Sequence, residues 1–141
     1  GAGRSGLMAR AFAMRLMHIG YTPYVIGETI TPSVQAGDVL VAVSGSGNTK
    51  SIVELTEKAK QNGAEIIAVT SNANSKLSEL GDGVIVVSGA TKAGDGVKSI
   101  QLLSTLFDQT VHIVLDVLCL KLSRRDHTSN DQAAKEHSNM E

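Results

Sequence analysis

Apolar residues along the chain follow two alternating rhythms. Four short runs, Thr22 to Ile26, Asp38 to Ser44, Glu65 to Thr70 and Gly83 to Ser88, are continuous in Val and Ile and bounded by Gly, Asp, Asn or Pro. Such runs suit strands buried on both faces of a parallel sheet. Between them the apolar positions recur every three to four residues. Leu7, Met8, Ala11, Phe12, Leu16 and Ile19 predict a first helix, with Gly20 as its C′ residue. Ile52, Leu55 and Ala59 predict a second helix, with Glu54, Glu57, Lys58 and Lys60 facing outward and Gly63 following it. Ser75 to Leu80 predicts a shorter third. Ser88 to Ser99 reads as a flexible loop rich in Gly, Ala, Lys and Asp. Ile100 to Leu122 is apolar on nearly every helical face, which suits a helix central to the core or forming part of a subunit interface. A last short helix is expected over Asp131 to His137, started by Asp126 or Thr128.

Strands alternating with helices predict a doubly wound α/β layer structure. Ligands in such sheets bind beyond the carboxyl ends of the strands. That rule selects the loops after Val25-Ile26, Ala42-Val43 and Val69-Thr70.

Composition narrows the function classes. At 141 residues the chain makes one domain, and its 13 Lys and Arg against 14 Asp and Glu leave no field for nucleic acid. The lone Cys119 excludes an internal disulfide, and its apolar surroundings suggest a packed thiol. Val111 to Leu122 is broken by His112, Asp116 and Lys121 and is too short to span a bilayer, so no membrane role is expected. With no signal peptide visible, the expected location is cytoplasmic.

The strongest chemical signal is Ser44-Gly45-Ser46-Gly47-Asn48-Thr49-Lys50-Ser51, which ends a buried strand and opens an amphipathic helix. Glycines let backbone N–H groups turn inward and the helix start adds partial positive charge, so the turn favours a phosphate. Ser44, Ser46, Thr49 and Ser51 add hydroxyl donors. A P-loop is excluded, because no stretch supplies G-x-x-x-x-G-K-[ST]. The plainer alternative is a turn that caps its helix through Ser46 or Thr49. A second turn, Gly1-Ala2-Gly3-Arg4-Ser5-Gly6, precedes the first helix. By spacing it is a truncated dinucleotide fingerprint whose acidic partner would be Glu28. One phosphate site shared by the two turns is more economical. Arg4 would pair with phosphate or a sugar hydroxyl, or else lie on the surface. Candidate acid–base groups are Glu28 past a strand end, Asp108 and Asp116 inside the apolar helix, and His137 in the tail. His18 and His112 read as structural.

Four segments together resemble the sugar isomerase (SIS) family. They are Gly1 to Gly6, Phe12-Ala-Met-Arg-Leu-Met-His18-x-Gly20, Gly27-Glu-Thr-x-Thr-Pro32 and Ser44-Gly-Ser-Gly-x-Thr49. Lys98-Ser-Ile-Gln101, Ser104-x-Leu-Phe107 and His137-x-Asn-x-Glu141 extend the similarity over nearly the whole chain and toward the 6-phospho-3-hexuloisomerase branch. The resemblance implies a three-layer, flavodoxin-like α/β/α sandwich with a parallel sheet, and the many apolar faces of Ile100 to Leu122 predict a homo-oligomer, dimer or tetramer. It implies a cofactor-free and metal-free interconversion of 3-hexulose 6-phosphate and fructose 6-phosphate through an enediol. Ser5 and the turn Gly45 to Lys50 would contact the substrate.

The resemblance also places a proton acceptor at Asp108, where relatives carry glutamate; one methylene less could shift the base by about 1 Å and cost on the order of 10²-fold in rate. Leu102-Leu103 and Ser104 stand where relatives carry Pro-Met or Pro-Leu and a glycine, and Glu136 where they carry a basic residue or histidine. The chain is expected to be a single SIS domain lacking the relatives' N-terminal helix and first strand. The alternative is a non-catalytic SIS module that senses a sugar phosphate.

Overall fold

The computed structural model describes residues 1–90 and 97–140. Its elements run α1 (Gly3–His18), β1 (Val39–Val43), α2 (Lys50–Gln61), β2 (Glu65–Thr70), α3 (Lys76–Leu80), β3 (Gly83–Val86), α4 (Thr105–Arg125) and α5 (Asn130–Glu136). The three strands pair in parallel in the order β1-β2-β3, with Val41 opposite Ile67 and Val69 opposite Ile85.

Strand alternation sorts the side chains between two cores. Val43, Val69 and Val87 pack with Phe12 of α1 and with Phe107, Val111, Leu115 and Cys119 of α4. Ala42 and Ala68 turn to the other face, against Ile52 of α2 and Leu77 of α3. Helices therefore cover both faces in an α/β/α sandwich, as the continuous Val and Ile runs require. Burial pushes the Cys119 thiol up to about 11, in keeping with a packed thiol. Among the described residues no helix is long and apolar enough to cross a membrane.

Both long helices before β2 stop where their glycines predict. Gly20 and Gly63 have φ of +93° and +87°. Tyr21 N–H reaches Leu16 O and Ala64 N–H reaches Ala59 O, closing the wide turn that ends each helix.

Three expectations need correction. Thr22 to Ile26 is not a strand: it pairs with no described strand, and Val25 O instead closes local bonds from Glu28 N–H (3.1 Å) and Thr31 Oγ1 (2.6 Å). Strand character in the side chains gives no ladder without a neighbouring backbone. The long apolar helix begins at Thr105 instead of Ile100. Thr105 N–H and Oγ1 both bond Leu102 O, forming a tight turn through Leu103 at φ 56°. The first helix starts at Gly3, so Arg4 and Ser5 lie in its first turn instead of in a loop before it.

Smaller differences follow. α5 is started by Ser129. Asp116 is half-exposed beside Arg15 and His112 and does not bear the burial cost expected for it. Residues 91–96 of the expected Ser88–Ser99 loop lie outside the described residues. α4 buries Phe107, Val111, Leu115 and Cys119 but leaves Ile113, Val117 and Leu120 exposed.

Candidate active site

Beyond the carboxyl end of β1 lies a cavity of about 270 Å³. Three helix starts line it: Ala2 to Ser5 of α1, Thr49 before α2, and Ser104, Thr105 and Asp108 of α4. Val43 to Ser46 form the wall between them. None of these three helices has a side-chain cap at its N-terminus. Their first-turn N–H groups have no intrahelical acceptor, and their dipoles bring partial positive charge toward a common space.

The turn after β1 is shaped by bonds that draw its carbonyl oxygens elsewhere. Gly45 O accepts from Thr70 Oγ1 (3.1 Å), Ser71 Oγ (2.7 Å) and Ser71 N–H (3.0 Å). Gly47 O accepts from Leu77 N–H (3.0 Å). Thr70, Ser71 and Leu77 do not line the cavity, so these carbonyls are engaged by groups outside it. Gly47 is irreplaceable on two counts. Its φ is +67°, and a Cβ there would fall 2.0 Å from Ser75 Oγ. Ser44 Oγ lies 2.8 Å from Thr49 Oγ1, setting two hydroxyls side by side at the start of α2. Ser46 Oγ accepts from Asn48 N–H, and neither Ser46 nor Thr49 caps α2. The plainer reading of this turn as a helix cap is therefore set aside.

Among the described residues, Arg4 and Asp108 are the charged side chains lining the cavity. Asp108 is only 1% exposed. Ser5 Oγ donates to its Oδ1 at 2.7 Å, Ser104 Oγ to its Oδ2 at 3.2 Å, and Arg4 Nε lies 3.8 Å from Oδ2. Arg4 Nη1 also donates to Thr105 Oγ1 at 3.2 Å. An otherwise costly buried carboxylate is thus held by two hydroxyl donors and faced by one guanidinium.

Of the residues singled out in the sequence, Arg4, Ser5, Ser44, Gly45, Ser46, Thr49 and Asp108 meet here. Gly47 is buried behind the wall, Asn48 Oδ1 accepts from Lys76 N–H at the start of α3, and Lys50 is exposed beside Glu54. Glu28 lies elsewhere, ion-paired with Arg10. His137 is also outside the cavity, its ring stacked on buried His18 at 5.1 Å. Ser104 and Thr105 were not among the expected site residues. The available signal was Ser104 one helical turn before Asp108, on the same helix face.

The SIS domain family model matches residues 1–113 of this chain. The chain belongs to the SIS domain family. It is 41% identical over 142 residues to a 3-hexulose-6-phosphate isomerase of Mycobacterium gastri, covering 100% of this chain and 71% of that protein. It is 38% identical over 143 residues to a 3-hexulose-6-phosphate isomerase of Bacillus subtilis, covering 100% and 77% respectively. A crystal structure from Methanococcus jannaschii, for which the molecular function of 3-hexulose-6-phosphate isomerase is inferred, superposes with a TM-score of 0.88 at 36% identity. That superposition covers 100% of this SIS domain and 76% of the other chain. The SIS fold and its parallel sheet are thereby established for this chain.

Proposed function

We propose that this SIS domain is a sugar-phosphate isomerase interconverting 3-hexulose 6-phosphate and fructose 6-phosphate. One observation carries the proposal: three uncapped helix starts and one buried carboxylate share a single cavity. The identities to relatives named for this reaction support it.

The phosphate belongs at the Ser44–Thr49 turn, where the Ser44 and Thr49 hydroxyls lie side by side at the start of α2. The sugar then extends toward Asp108. Isomerisation of the 3-ketose requires removal of the C2 proton, which lies beside the C3 carbonyl. The electron pair left on C2 forms a C2–C3 double bond as O3 gains negative charge. Return of that proton to C3, with the O2 proton passing to O3, gives the 2-ketose. Asp108 is the base in this proposal because it is the one carboxylate among the described residues that lines the cavity. The α1 and α4 starts and Arg4 stabilise the developing oxyanion. Glu28 has no part in the step from its position beside Arg10. His137 could move a proton between the oxygens only from a neighbouring copy.

The test is equilibration with fructose 6-phosphate followed by NMR. A 3-ketose product supports the proposal, whereas an aldose or no product contradicts it. Assembly is proposed through the stripe Ile113, Val117 and Leu120 on α4. Light scattering should give a dimer or tetramer, reduced to monomer by Ile113→Asp with Val117→Asp. A monomeric unsubstituted protein at micromolar concentration contradicts it.

A further inference from the structure

We infer that Ser104 is a positioning residue that fixes the carboxylate of Asp108 for proton transfer, an inference that rests on Asp108 being the base. Ser104 occupies the N-cap position of a 21-residue helix, yet it makes no side-chain cap bond. Its hydroxyl instead donates to Asp108 Oδ2 at 3.2 Å. The backbone leading to it is held in a costly conformation. Leu103 sits at φ 56°, in the left-handed region that a bulky side chain rarely adopts. Leu103, Ser104 and Asp108 all line the cavity. Strain of this kind persists where the surroundings impose it, and it concentrates at functional sites.

The geometry gives Ser104 a specific task. Ser5, on α1, donates to Oδ1 of Asp108, and Ser104, on α4, donates to Oδ2. Two donors on the two oxygens fix the rotation of the carboxylate plane. Each oxygen retains a second acceptor direction, so the group stays available to take a proton. Aspartate reaches less far than glutamate, so its orientation tolerates less error. Ser5 alone would leave the carboxylate free to turn about the remaining bond. Ser104 removes that freedom, and Arg4, at 3.8 Å from Oδ2, is the charged group that faces the carboxylate among the described residues.

The experiment compares Ser104→Ala, Ser104→Gly and Ser104→Thr with the unsubstituted protein and with Asp108→Asn, folding of each being checked by circular dichroism. Removing the hydroxyl should lower kcat by on the order of 10- to 100-fold, the scale for a displaced reacting group. KM should stay within about two-fold, because the lost interaction acts in the transition state. Ser104→Thr keeps a hydroxyl and should restore the rate. Either of the Ala and Gly variants that folds suffices for the comparison. Normal kcat in a hydroxyl-free variant, or a KM raised in step with any loss of kcat, with Asp108→Asn inactive, overturns the role of Ser104 alone. Equal impairment in the Thr variant overturns it too, by showing that the hydroxyl is not what matters. Full turnover by Asp108→Asn overturns the base itself and the role of Ser104 with it.

Discussion

Helices α3 and α5 each begin with a serine that caps its own backbone, whereas α1, α2 and α4 begin with no side-chain cap. Ser75 Oγ accepts from Ser78 N–H, and Ser129 with Gln132 completes a reciprocal capping box. Neither capped start lines the cavity; all three uncapped starts do. A cap contributes about 1 kcal/mol to its own helix. Three helices forgo that contribution and present unsatisfied N–H groups to one space. Serine and threonine are present at two of those starts, so residue type alone does not explain the missing caps. Thr49 instead meets Ser44 through its hydroxyl, and Ser104 meets Asp108. The same chemistry serves stability at one kind of helix start and ligand binding at the other.

Substitutions can break this contrast from either side. The largest effect is expected from Gly47→Ala, which puts a Cβ 2.0 Å from Ser75 Oγ and 2.8 Å from Thr70 Oγ1 at a φ of +67°. It should cost roughly 2–4 kcal/mol in a denaturant titration and abolish sugar-phosphate binding. Ser44→Ala with Thr49→Ala comes next. It should weaken fructose 6-phosphate binding by about 1–3 kcal/mol, the scale for hydrogen bonds to a charged group, while leaving the melting temperature nearly unchanged. Unaltered affinity by calorimetry would remove the phosphate from this turn. Ser129→Ala should do the reverse, with a stability loss of about 1 kcal/mol and the same sugar-phosphate affinity. A change in affinity from Ser129→Ala would erase the distinction between the two kinds of start.

The sequence made the layers legible because burial on both faces writes itself into continuous runs such as Glu65 to Thr70, which is β2 without adjustment. Gly20 and Gly63 marked helix ends for an equally local reason, the left-handed turn that each supplies. Thr22 to Ile26 misled because a strand depends on a partner backbone that local composition does not report. The early part of the apolar stretch from Ile100 misled because a turn through Leu103 overrides helix periodicity. At the site, the Ser/Gly turn and Ser5 were legible from their residue types. Asp108 was a candidate because a carboxylate inside an apolar helix is costly, family resemblance favoured it over Glu28, and it is buried as that reading expected. Ser104 escaped notice because a serine before a helix reads as a cap, and only geometry shows its hydroxyl turned to a carboxylate. Glu28 looked well placed on its loop until its pairing with Arg10 put it outside the cavity.

The central claim is that one carboxylate at the meeting point of three helix starts performs the isomerisation. Its most direct test measures fructose 6-phosphate formation from 3-hexulose 6-phosphate by the unsubstituted protein and by Asp108→Asn, with sugar-phosphate affinity measured on both. The predicted result is turnover by the first, a loss of at least about 10³-fold in the second, and affinities within a few-fold of each other. Near-normal turnover by Asp108→Asn, or no turnover by the unsubstituted protein, would contradict it.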